Sequence, residues 1–230
     1  MNEVINFLSG MSDEAVVIRI AIATLFGSFI GWERVARHHS AGIRTFALVS
    51  LGSAVATALN LYLAEMPGMS ADVSRIPAGV VSGIGFLGAG TILVTGRNQI
   101  KGLSTAATLW VASCMGMAIG AGYLKVGLAC FILVMLANVF LIRISAKVEE
   151  NTKYMSIYVE LSKNRGLSKL SKALVADGIT ISSMTKSREK PLEESDTAVI
   201  IEIEMDRRRS HQDIIDFFSE LDYVNYVEEV

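Results

Sequence analysis

Two groups of residues in this sequence have the types and spacing to do chemistry. The first is Gly83, Gly85 and Gly88 in "GVVSGIGFLGAGTILVTG", a G-x-G-x-x-G that in a strand-turn-helix unit cradles a dinucleotide pyrophosphate. The second is charged: Glu33, Arg34, Arg37 and Arg44 in "GWERVARHHSAGIRT", with Asp72 and Arg75 three residues apart further on. Glu33 with His38 and His39 also has the donor types of a metal or pH site, although adjacent loop histidines without further ligands are ordinarily solvated. No H-E-x-x-H, C-x-x-C, P-loop or nucleophile elbow occurs, so nothing in the motifs supports an enzyme or calls for a cofactor.

What these residues can do depends on the elements that hold them. The chain has 230 residues, of which 51% are hydrophobic and 19% charged, and its mean hydropathy is +0.44. Residues 1–14 carry three acids and no base, residues 15–142 eight bases and three acids, and residues 143–230 thirteen bases and seventeen acids. A net charge of −2 excludes general nucleic-acid binding, which needs a basic surface. The acidic start lacks the basic region of a cleaved secretory signal, so the first apolar segment is expected to be retained. Cys114 and Cys130 both fall in apolar stretches and read as small hydrophobes.

A helix needs roughly 20 apolar residues to cross a bilayer. Five segments qualify on this reading: approximately Ala15–Gly31, Gly42–Ala64, Ile76–Val94, Gly102–Gly122 and Tyr123–Ile144. Arg19 and Lys125 sit near enough to span ends to snorkel. Arg34, Arg37 and Arg44, then Arg97 and Lys101, then Arg143 and Lys147 mark three segments as cytoplasmic by the positive-inside rule. The expected topology is therefore five crossings, N-terminus out and C-terminus in, with a membrane domain over 15–145.

In that setting the glycine fingerprint fails as a nucleotide site. Gly83 lies inside an uncharged run, and about 20 residues past Gly88 stand Thr108 and Leu109 where an acid is required. In lipid, small residues let helix backbones approach. Gly79 and Gly83 form one small pair, and Ala78, Ser82, Gly85 and Ala89 a second small face, continued by Gly88 and Gly90. Thr105, Thr108, Ala112, Gly116 and Gly120 repeat the device on the next span. The two thin helices are expected to pack face to face, so that Gly83→Leu disrupts the bundle and Gly96→Leu does not. The alternative is a polar path along Ser82, Ser104, Thr105, Thr108 and Ser113. Among the charges, Glu33 is expected to pair with a neighbouring arginine, and Arg44→Ala to harm more than Arg37→Ala because Arg44 enters the first turns of a span. Asp72 reads as a helix cap ahead of Pro77.

From about Asn151 the pattern changes. "YMSIYVEL" alternates as a strand, and "GLSKLSKALVADG" spaces Leu167, Leu170, Leu174 and Val175 on one helix face, with Gly166 and Gly178 as its boundaries. "ITISSMTKS" and "AVIIEIEMD" follow as strands around the charged loop 188–196. "SHQDIIDFFSEL" reads as a helix capped by Ser210 behind the basic run Arg207–Arg209, a solvated turn, and "YVNYVEEV" as a last strand. The order β-α-β-β-α-β over 151–230 predicts a ferredoxin-like domain, a module that often regulates or dimerises.

"GWERVARHHSAGIRTFALVSLGSA", "RIPAGVVSGIGFLGAGTIL" and "IKGLSTAATLWVASCMGMAIGAG" closely resemble, in order, the MgtC/SapB proteins. The resemblance covers about residues 15–127 and is weaker beyond Arg143. It implies a bacterial inner-membrane helical domain, a cytoplasmic ACT-like domain, and a role associated with magnesium limitation or with acidic or host environments. Implied partners are the lipid bilayer, further copies of the chain, and membrane proteins such as the F-type ATP synthase or a cation transporter. The family pattern falls on Glu33, Arg34, Gly42, Arg44 and Thr45, on Arg75, Gly83, Gly85, Gly88, Gly90 and Thr91, and on Gly102, Leu103, Thr105, Ala106 and Ala107, with Asp72 ahead of the second block. Pro77 departs from it. These positions imply an ordered charge network. Two function classes stand: regulation through a membrane partner, and an ion route for Mg²⁺, H⁺ or K⁺ lined by Glu33, Asp72 and the Ser/Thr face.

Overall fold

The computed structural model describes residues 2–68, 72–96, 99–149, 152–162, 166–187, 191, 196–205 and 210–230. It divides into two units, Met1–Leu93 with Ile100–Phe140, and Val94–Gln99 with Leu141–Val230. In chain order the elements are α1 (Asn2–Ser9), α2 (Asp13–Ala36), α3 (Ile43–Glu65), α4 (Arg75–Gly90), β1 (Leu93–Val94), β2 (Ile100–Lys101), α5 (Leu103–Gly120) and α6 (Leu124–Leu136). A π-helical turn, Ala137–Leu141, then leads into α7 (Ile142–Glu149). There follow β3 (Tyr154–Ser162), α8 (Gly166–Ala176), β4 (Ile179–Lys186), β5 (Asp196–Met205), α9 (His211–Ser219) and β6 (Val224–Glu229).

Local chemistry sets the ends of α2. Ser12 caps it by accepting from the Ala15 N–H, and Asp13 and Glu14 in the first turn face the positive end of the helix dipole. At the other end the His39 N–H donates to Arg34 O and the His38 N–H to Val35 O, with His38 in the left-handed region at φ 58°. This pair of bonds is a Schellman stop, so His38 is spent on turning the chain.

The helices of the first unit pack through missing side chains. A Cβ on Gly27 would fall 2.5 Å from Phe46 O, and one on Gly31 2.6 Å from Ile43 Cα, which brings α2 hard against α3. Gly116 and Gly120 sit against Ser50 O and Ala54 O, each 2.4 Å from the place of a Cβ, which does the same for α5 and α3. Ala23, Ile30, Phe46, Ala54, Leu109, Ala112, Met115 and Ile119 fill the core between them.

Four described helices are long and apolar enough to cross a membrane: Asp13–Ala36, Ile43–Glu65, Leu103–Gly120 and Leu124–Ser145. The third expected segment is the exception. Its helix, α4, has 16 residues, about 24 Å at 1.5 Å per residue against roughly 30 Å of hydrocarbon. It still reaches between the two ends of the bundle. Asn60, near the end of α3, donates to Val73 O just before α4, and Gly88, near the end of α4, lies on Ala106 at the start of α5.

The expected thin faces of α4 and α5 fare differently. Ala112, Gly116 and Gly120 are buried, but α5 presents them to α3. Along α4 only Ile84 and Gly88 are buried, and Gly79, Gly83, Gly85 and Gly90 have nothing within 4 Å of a Cβ position; Ser82 is exposed and so is Phe86. Of the α4 glycines Gly88 alone meets α5, at Ala106, whereas Gly116 and Gly120 of α5 lie against the backbone of α3.

In the second unit the four strands run β4-β5-β3-β6, every pair antiparallel. Each helix joins two strands that flank a third, the split arrangement that the β-α-β-β-α-β pattern requires. Ile157, Val159, Ile201 and Ile203 on the sheet meet Leu170 and Leu174 of α8 and Ile214 and Phe218 of α9 in one core, so both helices cover the same face. Ser210 caps α9 as expected, accepting from the Gln212 N–H. His211 Nδ1 lies 2.6 Å from Glu229 Oε1, tying α9 to β6. Arg97, most of the loop 188–196 and the run Arg207–Arg209 lie outside the described residues.

Candidate functional site: a charged cluster at one end of the helical bundle

The end of α2 brings Glu33, Arg34 and Arg37 onto its last turn, and the Schellman stop folds His39 back beside them. Glu33 Oε1 and Arg37 Nε form an ion pair at 2.6 Å, one helical turn apart. Arg34 is fully buried. Its Nη2 donates to Thr105 Oγ1 of α5 at 3.1 Å, while Nε and Nη1 have no partner. His39 Nε2 is likewise buried and unpartnered. The cluster therefore holds two guanidiniums, one carboxylate and one imidazole, and Arg34 Nε and Nη1 and the Glu33 oxygens are buried without a hydrogen bond, the latter held by the ion pair alone.

Of the residues singled out in the sequence, Glu33, Arg34 and Thr105 come together here. Arg44 and Thr45 do not, because both are exposed on the first turn of α3. The expectation that Arg44→Ala harms more than Arg37→Ala is accordingly reversed. Arg37→Ala leaves the mostly buried Glu33 carboxylate without its cation and is expected to destabilise the protein by about 1–2 kcal/mol, against less than about 0.5 kcal/mol for exposed Arg44→Ala. Chemical unfolding of the two variants in detergent checks the order.

Asp72 is also apart from the cluster. It is exposed and accepts from the Ser74 N–H at 2.8 Å and Ser74 Oγ at 2.7 Å, capping the turn before α4, and those two bonds hold its carboxyl below the usual range. Arg75 is exposed. No group of three or more metal-ligating side chains occurs among the described residues. Along the expected polar path Ser82 and Ser104 are exposed, whereas Thr105, Thr108 and Ser113 are buried. Ser113 shares a 2.8 Å hydrogen bond with Ser53 of α3, and Thr108 Oγ1 returns to Ser104 O at 2.7 Å.

Sequence reasoning missed Ser53, Asn60, Gly27 and Gly31, and it misread Arg19. That residue does not snorkel but is fully buried, with all three guanidinium nitrogens unpartnered. The signal was present. Arg19 falls in the stripe Ala15, Ala23, Gly27, Gly31 and Arg34, spaced three or four apart on the packed face of α2.

Burial, then the neighbouring Arg34, pushes the His39 imidazole below its ordinary 6.5; Glu33 opposes this and Arg37 adds to it. The folded state then binds fewer protons than the unfolded chain, so stability is full above the ordinary value and falls as pH drops through it. The unfolding midpoint is expected to decline between pH 7.5 and 5.5, and more steeply than in His39→Gln.

A model of the MgtC family matches residues 20–147, which include Arg34 but not Arg19. The chain belongs to the MgtC family. Protein MgtC of Salmonella typhimurium strain LT2 is 40% identical over 134 residues, 58% of this chain and 55% of that protein. Protein SapB of Bacillus subtilis strain 168 is 33% identical over 138 residues, covering 58% and 60%. YhiD of Escherichia coli K12, whose name carries a provisional assignment as a magnesium transporter, is 41% identical over 116 residues, covering 49% and 54%. The match thus spans little more than half the length of these relatives. Family membership and four apolar helices make the chain a membrane protein, and the resemblance read from its three sequence blocks holds.

Proposed function

We propose that this MgtC family member is a regulatory protein of the bacterial inner membrane that serves adaptation to magnesium limitation, acting on a partner in the same bilayer rather than conducting the ion. The magnesium link rests on the relatives' names and on the family resemblance. The regulatory half rests on one observation: the interior of the helical bundle carries two fully buried guanidiniums, Arg34 near one end and Arg19 near the other. A divalent cation needs oxygen ligands and compensating negative charge. Two fixed positive charges in a medium of low dielectric oppose its passage. The buried hydroxyls of Ser53, Thr105, Thr108 and Ser113 are spent on bonds within the protein.

In this reading the Arg34 end is cytoplasmic, as the basic loop residues favour, and the second unit is a cytoplasmic ferredoxin-like or ACT-like module. Its strand order supports that fold. The ATP synthase, a cation transporter and a second copy of the chain are the partners that the family resemblance favours.

Liposomes containing the purified protein test the choice. Flux of Mg²⁺, H⁺ or K⁺ no greater than in empty liposomes is expected. Flux that Thr105→Leu abolishes would replace this reading with the ion route.

A further inference from the structure

The link between α4 and α5 is a small two-stranded ribbon that no described residue covers. β1 and β2 pair across a tight loop, in which the Thr95 N–H donates to Gln99 O at 2.9 Å and the Gln99 N–H to Thr95 Oγ1 at 3.3 Å. Successive residues of a strand point to opposite faces, and both residues of each strand are exposed, so the ribbon is open on its two sides. Leu93, Val94 and Ile100 are 64%, 69% and 58% exposed, and Leu103 at the start of α5 is 56% exposed. A lone two-stranded hairpin is marginal in water, and this one buries no face of its own.

The ribbon is nonetheless fixed at its base. Gly102 has φ 98° and lies so close to Thr91 O that a Cβ has no room, and Thr91 Oγ1 in turn donates to Gly88 O near the end of α4. Its level along the bundle is fixed too. Thr105, three residues beyond Gly102, accepts from Arg34 on the last turn of α2. The ribbon base therefore stands where the apolar stretch of α2 gives way to charge, and α4 has already stopped at Gly90, about 24 Å from its start against roughly 30 Å of hydrocarbon. In sequence, the stretches 33–44 and 97–101 hold five bases, Arg34, Arg37, Arg44, Arg97 and Lys101, and one acid, Glu33.

We propose that the β1–β2 ribbon enters the headgroup layer of the bilayer and rests there on anionic phospholipid. Leu93, Val94, Ile100 and Leu103 then leave water and continue the apolar run that α4 ends too early. Lys101, exposed on the same ribbon, meets the lipid phosphates, and the excess of bases around it selects a negatively charged surface. Aliphatic side chains beside a basic excess, at the level where the spans end, make an interfacial segment. The depth is limited to that layer, because the open backbone groups along a ribbon edge find no partners in hydrocarbon. The proposal is independent of whether the bundle regulates or conducts.

Spin labels on the full chain test this. In a Cys114→Ala, Cys130→Ala background, single labels are placed by Val94→Cys, by Ile100→Cys, by Ser40→Cys in the exposed α2–α3 loop, and by Leu133→Cys on the exposed apolar side of α6. In vesicles of phosphatidylcholine with phosphatidylglycerol, collision with oxygen, which concentrates in the bilayer, is compared with collision with a water-soluble nickel chelate. The oxygen-to-nickel ratio at Val94→Cys and Ile100→Cys is expected to fall between those of Ser40→Cys and Leu133→Cys. It should drop when phosphatidylcholine replaces the phosphatidylglycerol, and by less when Lys101→Gln is added. A ratio equal to that of Ser40→Cys places the ribbon in water, and labels reached by neither reagent place it against protein; either result overturns the proposal. A ratio indifferent to phosphatidylglycerol overturns the assignment to an anionic surface. If the cysteine-free chain does not fold, Val94→Trp in the parental chain carries the decision: brominated lipid should quench it beyond the contribution of Trp32 and Trp110, and quenching no greater than in the parent refutes the insertion.

Discussion

Gly120→Leu is expected to prevent recovery of folded protein, and Gly120→Ala to lower the unfolding free energy by about 3 kcal/mol, at the top of the usual range for overpacking. The reason lies in what the new atom meets. A Cβ at Gly120 would stand 2.4 Å from Ala54 O and 2.7 Å from Ala54 Cα, and both are backbone atoms in the middle of α3. A flexible side chain can swing away from such a contact, whereas a helix must move as a body, and α3 is also held by Gly27 and Gly31 of α2. Gly116, one turn earlier and 2.4 Å from Ser50 O, should behave alike. Gly83→Leu supplies the control. Nothing lies within 4 Å of its Cβ position, so the variant should unfold within about 0.5 kcal/mol of the parent. Equal losses for Gly83→Leu and Gly120→Ala, measured by denaturant titration in one detergent, would contradict the close α3–α5 approach.

That contrast shows how far the chain could be read without coordinates. The apolar runs were legible because transfer of about 20 apolar residues into hydrocarbon is a property of composition, and four of the five emerged as helices of sufficient length. The fifth, expected over Ile76–Val94, forms a shorter helix for a local reason. Hydropathy is continuous from Ile76 to Val94, but Thr91 Oγ1 bonds Gly88 O and the helix stops at Gly90, an event that side-chain polarity does not record. Small-residue spacing was equally visible on α4 and α5. Which stripe meets which is decided by the tertiary arrangement, and α3, whose Ser50 and Ala54 accept the α5 glycines, was not considered as the partner. The second unit was legible almost strand by strand because its apolar runs are short and bounded by turn residues, although β3 and β5 prove buried on both faces, with Tyr158, Ala198 and Ile200 opposite the main core. At the charged end, Arg34 and Arg37 differ by three residues, yet one points into the bundle at Thr105 and the other outward along α2 to Glu33. Arg44 looked equally placed by distance from a span end, but the first turn of α3 presents it to the outside.

Arg34→Met is expected to unfold at the same temperature as the parent or up to about 10 °C higher, while losing the protein's role in growth at low magnesium. The sign runs against the habit of treating a buried arginine as a structural pillar. Arg34 is fully buried, its Nε and Nη1 have no partner, its one hydrogen bond goes to a neutral hydroxyl, and Glu33 is engaged by Arg37. An ion in that position has lost its hydration and regained only part of it, and replacing such a group by an apolar residue of similar length is stabilising by about 1–3 kcal/mol in comparable cases. For a chain of this size each kcal/mol moves the midpoint by roughly 2–4 °C. Methionine fills the space of the arginine stem and leaves Thr105 able to bond its own helix, as Thr108 already does with Ser104 O. Arg34→Glu should have the opposite effect, since it buries two adjacent acids with one cation between them. A chain that retains a destabilising charge does so for more than packing, and the regulatory reading places the role of this one in the charged cluster that it shares with Glu33 and Arg37. A fall of several degrees in Arg34→Met with growth unimpaired would make the guanidinium a packing element and remove the cluster from the regulatory reading.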